Sequence, residues 1–300
     1  MKYPKNKLLI MDQSLQHHKH LLWRSGFGPG IHHIEDLKNK DISVSIQDLF
    51  KAENFSEINY DTPDVEIIDY MNDKTPAERK KEILKINREQ NLELNLNFLE
   101  KMVNSKDQLR EKMAFFWHGH FATRVVNPKF SRQILNVIRK NALGNFKDLL
   151  FEVSQSPAML NFLNNQQNKK GHPNENFARE VMELFTMGRG NYTEKDIREG
   201  ARAFTGWGFD KQGNFKERPN LHDPGTKTFL GKTGNFTGTD ALNIILEQKA
   251  TAKFIATKIY KFFVNEKVNN DIINTLSKGF YSSGYDIKKL MVDIFSASWF

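Results

Sequence analysis

The sequence contains no cysteine in 300 residues. That absence removes disulfides, thiolate nucleophiles, iron–sulfur clusters, cysteine-ligated zinc and c-type haem attachment together. Any metal must be held by imidazole, carboxylate, backbone or water. Long apolar runs are also lacking, since no stretch approaches the roughly 18–20 residues that span a bilayer. The basic start, Met1-Lys2-Tyr3-Pro4-Lys5, leads only to Leu8-Leu9-Ile10-Met11 before Asp12, too short for a signal-peptide core. A soluble, cytoplasmic protein is the default expectation. The Gly-x-Ser-x-Gly nucleophile elbow is absent. The stretch from Gly225 to Thr233 places five residues between its glycines where a P-loop needs four, and Gly234-Asn235 follows instead of a helix, so nucleotide binding fails.

What is present points to a packed interior. The hydrophobic fraction is 39%, with 24 phenylalanines, and the length suits one large domain or two small ones. The net charge of +8 raises nucleic acid as a partner. The basic residues are interleaved with acids, however, as in Glu78-Arg79-Lys80-Lys81-Glu82, and that pattern marks solvated helix faces. Nucleic acid is therefore disfavoured.

Helical signals dominate the chain. His17-His18-Lys19-His20 opens a short amphipathic helix and reads as a surface cluster, with the turn Gly26-Phe27-Gly28-Pro29-Gly30 after it. Residues 36–74 are polar and irregular, with a short extended piece at Val65-Glu66-Ile67-Ile68. Thr75-Pro76-Ala77-Glu78 is a capping box with proline at the first helical position. It starts a helix to about Asn104, with Leu92, Leu96, Leu99 and Met102 at helical spacing. Ser105-Lys106-Asp107-Gln108 restarts a helix through another capping box, and others follow over 129–142, 145–155 and from Ser156-Pro157 to near Asn164-Asn165. The run from Asn174 to Gly188 is helical with Asn174 as its cap, and Thr193 starts another ending at Gly206. Residues 207–238, rich in Gly, Asn, Asp and Pro, predict a long loop or small β-hairpin insertion. Helices return over 239–247, 249–264, 270–282 and 286–297. No internal repeat stands out. The fold class expected is mainly α, one multi-helix globular domain over 1–300. The apolar end Ala297-Ser298-Trp299-Phe300 suggests a fragment lacking its C-terminal part.

A series of motifs then stands in order. Phe116-Trp117-His118-Gly119-His120-Phe121 precedes Asn141-Ala142-Leu143-Gly144-Asn145-Phe146 and Ser156-Pro157-Ala158-Met159-Leu160. The run Asn174 to Gly188 follows, then Tyr192-Thr193-Glu194 and Ala203-Phe204-Thr205-Gly206-Trp207. His222-Asp223-Pro224-Gly225 and Lys227-Thr228-Phe229-Leu230-Gly231 close the series. Together with Leu21-Leu22-Trp23-Arg24-Ser25-Gly26-Phe27-Gly28, these resemble the bacterial family called domain of unknown function 1800, over nearly the whole chain. The resemblance implies a bacterial protein, longer relatives and export in many of them. It supplies no catalytic residues.

Three constellations carry the distinctive chemistry. On the helix from Asn174, Glu180 and Glu183 at i and i+3 point toward one centre, as paired carboxylates do in helical metal sites, or form a solvated ladder with Arg179. His118 and His120 sit about 200° apart on a continuous helix, converging only if Gly119 breaks it; a core histidine satisfied by a carbonyl is the alternative for either. His222-Asp223 before Pro224-Gly225 offers a ligand and a base, or plain turn chemistry.

The leading expectation is a metal-dependent enzyme, hydrolytic by default or redox-active with iron, using zinc, iron or manganese. His118, His120, Glu183 and His222 are the candidate ligands, and Glu180, Asp223 and Arg179 the candidate catalytic residues. Arg202, Lys227, Asn174 and Asn176 would bind substrate. The alternative is a non-enzymatic, partner-binding or structural helical protein whose polar residues form a buried hydrogen-bond network. The partner would accordingly be a small molecule or another protein.

Overall fold

The computed structural model describes residues 13–28, 36–37, 40–51, 55–61 and 75–300. The architecture is mainly α, with two small antiparallel hairpins as its β structure among the described residues.

Helix α1 spans Gln13–Ser25 and buries His18, whose Nδ1 donates to the Ser14 carbonyl at 2.8 Å. His17 and His20 are exposed, so the histidine cluster is split between core and surface. The stretch read as irregular contains a helix, α2 (Ile42–Asp48), because Asp41 caps it by accepting from the Ser43 N–H. The extended piece expected at 65–68 lies outside the described residues.

Helix α3 runs Pro76–Asn104 behind the Thr75–Glu78 capping box and the N1 proline. It buries Ile86, Gln90, Leu94, Phe98 and Met102, a row at every fourth residue. Leu92, Leu96 and Leu99 fall on the opposite side and stay exposed. Helix α4 (Gln108–His120) restarts where expected, but Asp107, its N-cap, makes no side-chain capping bond; Ser105 Oγ instead accepts the Asp107 N–H at 3.0 Å.

Helices α5 (Pro128–Asn141), α6 (Phe146–Ser154) and α7 (Pro157–Phe162) follow, each with a side-chain cap from Asn127, Asn145 or Ser156. Helix α8 (Asn176–Glu180) passes directly into a π-helical turn at Val181–Thr186. After α9 (Glu194–Ala203) come the hairpins β1–β2 (Trp207–Phe209, Phe215–Glu217) and β3–β4 (Lys227–Phe229, Lys232–Gly234). Helices α10 (Gly238–Glu247), α11 (Lys249–Phe263), α12 (Asn270–Ser282) and α13 (Ile287–Phe295) complete the chain.

The core is contiguous and aromatic. Trp117 is fully buried, stacks near Phe121 and Phe146, and donates its indole N–H to the Ala142 carbonyl at 3.0 Å. That bond satisfies the one polar atom of a large apolar ring. Among the described residues, no helix is long and apolar enough to cross a membrane.

One relationship escaped the sequence. The turn between α5 and α6 pairs with the turn between α12 and α13 through an isolated bridge, Asn145 to Asp286. Phe146 N–H donates to Tyr285 O at 2.9 Å, and Ile287 N–H donates to Gly144 O at 3.0 Å. The two bonds are reciprocal, so the turns meet across a local two-fold. Each turn also starts a nine-residue helix. Only scattered positions match, such as Lys147 with Lys288 and Leu149 with Leu290.

Candidate functional site

The carboxylates of α8 stand beside the π turn. Asn174 accepts the Asn176 N–H at 3.0 Å and starts the helix, and Thr186 Oγ donates to Val181 O at 2.6 Å in the widened turn. The turn ends on Gly188 at φ +75, where a Cβ would sit 2.7 Å from the Phe254 ring, so glycine is required twice over. Glu183 receives the Arg189 guanidinium and, at 2.9 Å, the Tyr192 hydroxyl, and both bonds lower its pKa. Burial and the bond to Glu183 push Tyr192 up to about 12. Glu180 behaves oppositely. Desolvation and then repulsion from Glu183 raise its pKa, and it makes no hydrogen bond or ion pair among the described residues. Arg179 turns away to bridge Glu194, at 2.9 Å, and Glu175, at 3.3 Å.

The segment after β2 forms a second cluster, on α9. Arg202 grips Asp223 with Nε at 2.7 Å and Nη2 at 3.2 Å, and reaches Glu199 and the Thr226 carbonyl with Nη1. This guanidinium holds the Asp223 carboxyl below the usual carboxylate range. Thr205 Oγ accepts the Asp223 N–H at 2.8 Å, and His222 Nδ1 donates to Thr205 O at 3.0 Å. Lys227 has no exposed surface, and its ammonium donates to the carbonyls of Asp223 at 2.6 Å and Gly225 at 3.0 Å. Burial lowers its pKa. Glu199 and Asp196 accept the N–H groups of Thr228 and Leu230, fastening β3 edgewise to α9.

The two histidines of α4 part company. The helix continues through Gly119, so their side chains diverge by about 200°. His118 is exposed and lines a groove of about 790 Å3 between α3, α4 and α5. His120 is buried, donating Nε2–H to Phe185 O at 3.0 Å and accepting from Lys258 Nζ at Nδ1 across 3.1 Å. Its proton position follows from these partners. Burial, then the Lys258 charge, lowers its pKa to about 3.

The structure therefore brings Glu180 and Glu183 together on one surface, and His222, Asp223 and Arg202 together at a second place, over the buried Lys227. His120 meets the π turn through a backbone carbonyl. Among the described residues, no group of three or more His, Asp or Glu side chains is placed to hold a metal ion. Asn174 and Asn176 serve the backbone, with the Asn174 N–H donating to Asn168 Oδ1 at 3.0 Å and Asn176 Nδ2 donating to Leu163 O at 3.2 Å.

Sequence reasoning missed several buried polar residues. Asn165 donates to the Phe204 and Trp207 carbonyls, and Asn168 donates to Ala201 O. Their only signal was the density of asparagines between Asn164 and Asn176. Also missed was Arg139, which forms a bidentate pair with Glu111 at 2.7 and 2.8 Å, both side chains 2% exposed, at the floor of a polar cavity of about 550 Å3.

Comparison with curated proteins and with solved structures finds no match. A family model does match, the one described as a protein of unknown function (DUF1800), and it covers residues 20–300. With nearly the whole chain inside that match, and the Trp117, Asn174–Gly188 and His222–Gly231 segments all in it, this protein belongs to the DUF1800 family.

Proposed function

We propose that this protein acts as a non-enzymatic helical scaffold for a partner, with the polar residues of 165–231 serving to hold its helices and loops in register. The burial of Lys227 carries this reading. Its ammonium is closed off by two loop carbonyls while Arg202 closes the Asp223 carboxylate. A cation and an acid engaged in this way make their main contacts inside the chain, and they satisfy the groups that burial would otherwise penalise. The metal-enzyme reading draws its ligands from His118, His120, Glu183 and His222, which lie in three separate settings.

A second reading has one observation behind it. Glu180 is an unpaired carboxyl of raised pKa beside a lowered one, Glu183, and such pairs perform general acid–base work. On this reading Glu180 moves a proton while Tyr192 and Arg189 keep Glu183 ionised.

The test is the metal content of untagged protein, with the thermal midpoint after adding zinc, manganese or ferrous ion. The scaffold reading expects no stoichiometric transition metal and no stabilisation by any of the three. A bound metal lost in Glu180→Ala/His222→Ala would overturn it and return the metal enzyme to first place.

A further inference from the structure

The longest helix carries an apolar row that no described residue covers. Leu92, Leu96, Leu99 and Val103 of α3 are 58, 54, 55 and 75% exposed. At about 100° per residue, all four lie within roughly 40° of the direction opposite Leu94. Apolar side chains exposed singly need no explanation, but four in one line do. Their spacing of four, three and four residues is the repeat of a two-stranded coiled-coil seam. On the Arg88 side the row borders the groove of α3, α4 and α5, where Phe115 and Val126 extend the apolar area.

The flanks of the row differ in charge. Arg88 lies on one side, and Glu93 and Glu100 lie on the other. With Leu92 and Leu99 at d and Leu96 and Val103 at a, Arg88 occupies a g position and the two glutamates occupy e positions. In a parallel pair each g residue lies beside the following e residue of the other helix. Arg88 then meets Glu93 of the partner subunit. Glu93 also accepts the Asp61 N–H at 2.6 Å, which holds its carboxylate on that flank. An antiparallel pair would instead set glutamate against glutamate.

We propose that α3 is a homodimer interface, its Leu92–Val103 row packing in parallel on the same row of a second copy. This names the partner for the scaffold reading and rests on it. The two remain separable, because metal content and self-association are independent measurements.

Sedimentation over a micromolar concentration series tests the idea. The parent should dimerise, and Leu96→Glu/Leu99→Glu should raise the dissociation constant by about tenfold or more. Both positions face solvent in the monomer, so the helical circular dichroism and thermal midpoint of the dilute variant should match the parent. The cysteine-free chain supplies a geometric check. Leu96→Cys should form a disulfide dimer under mild oxidation, since a faces a in a parallel pair, whereas exposed Leu184→Cys should not. A monomer at every concentration overturns the proposal. So does a dimer that the double substitution leaves intact, or one in which Leu96→Cys fails to cross-link.

Discussion

Lys258 donates its ammonium proton to Nδ1 of His120 across 3.1 Å, beneath the Phe254 ring. The imidazole is consequently held neutral between a cation on one nitrogen and the Phe185 carbonyl on the other. It acts as a hydrogen-bond connector joining α4, α11 and the π turn.

This arrangement makes stability depend on pH in a definite direction. Burial and then the Lys258 charge bring the folded pKa of His120 down to about 3, against about 6.5 for an ordinary histidine. Between those values the unfolded chain binds the extra proton, so stability falls as pH drops below about 6.5. The slope from this group is about 1.4 kcal/mol per pH unit. His120→Gln should lose that share of the slope in urea titrations between pH 4 and 6, and an unchanged slope would refute the neutral assignment.

The Arg202–Asp223 pair is partly shielded, at 26 and 21% exposure, so its loss should be moderate. Asp223→Asn should cost about 1–3 kcal/mol. The damage should be local, with new proteolytic cuts appearing between 219 and 231. Global unfolding without such cuts would argue against a local role for the pair.

A deeper pair should behave differently. Glu111→Leu or Arg139→Met alone leaves one charge buried without its partner, at a cost of about 3–5 kcal/mol. The double substitution Glu111→Leu/Arg139→Met should recover much of that loss. Thermal denaturation of the three variants gives the coupling directly, and simple additivity would show the pair to be independent.

Gly206 has φ +81, and a Cβ there would lie 2.7 Å from the Arg218 carbonyl. Gly206→Ala should therefore lower the thermal midpoint, with a stability loss larger than the roughly 1 kcal/mol that a left-handed conformation alone costs. Gly190→Ala, also at positive φ but with open space around it, is the control and should cost less.

Much of the helical layout was readable because its signals are local. Thr75 with Glu78, and Thr193 with Asp196, mark helix starts through bonds made within four residues. The face that α3 buries was not readable, since it carries apolar residues at helical spacing on both sides and only packing selects Leu94 and Phe98 over Leu92 and Leu99. The π turn was hidden as well, because the shape of 181–186 depends on neighbours such as His120 and Phe254 that are distant in sequence. At the candidate site the residue types drew attention by their density alone. That Arg202 holds Asp223, 21 residues away, is a tertiary fact, and it gives the same side chains a different occupation from the one their spacing suggested.

The reciprocal turns at Asn145 and Asp286 bear on how the chain acquires its shape. Asn145 Nδ2 reaches Gly284 O, 139 residues further along. During synthesis the first turn must wait, its Phe146 amide and Gly144 carbonyl open to water, until Gly284 to Ile287 have emerged. Closing so large a loop is slow relative to local helix formation. The docking of the two turns is thus expected as a late folding event, and a ribosome-stalled chain ending before Ser283 should keep its amide at Phe146 exchanging freely.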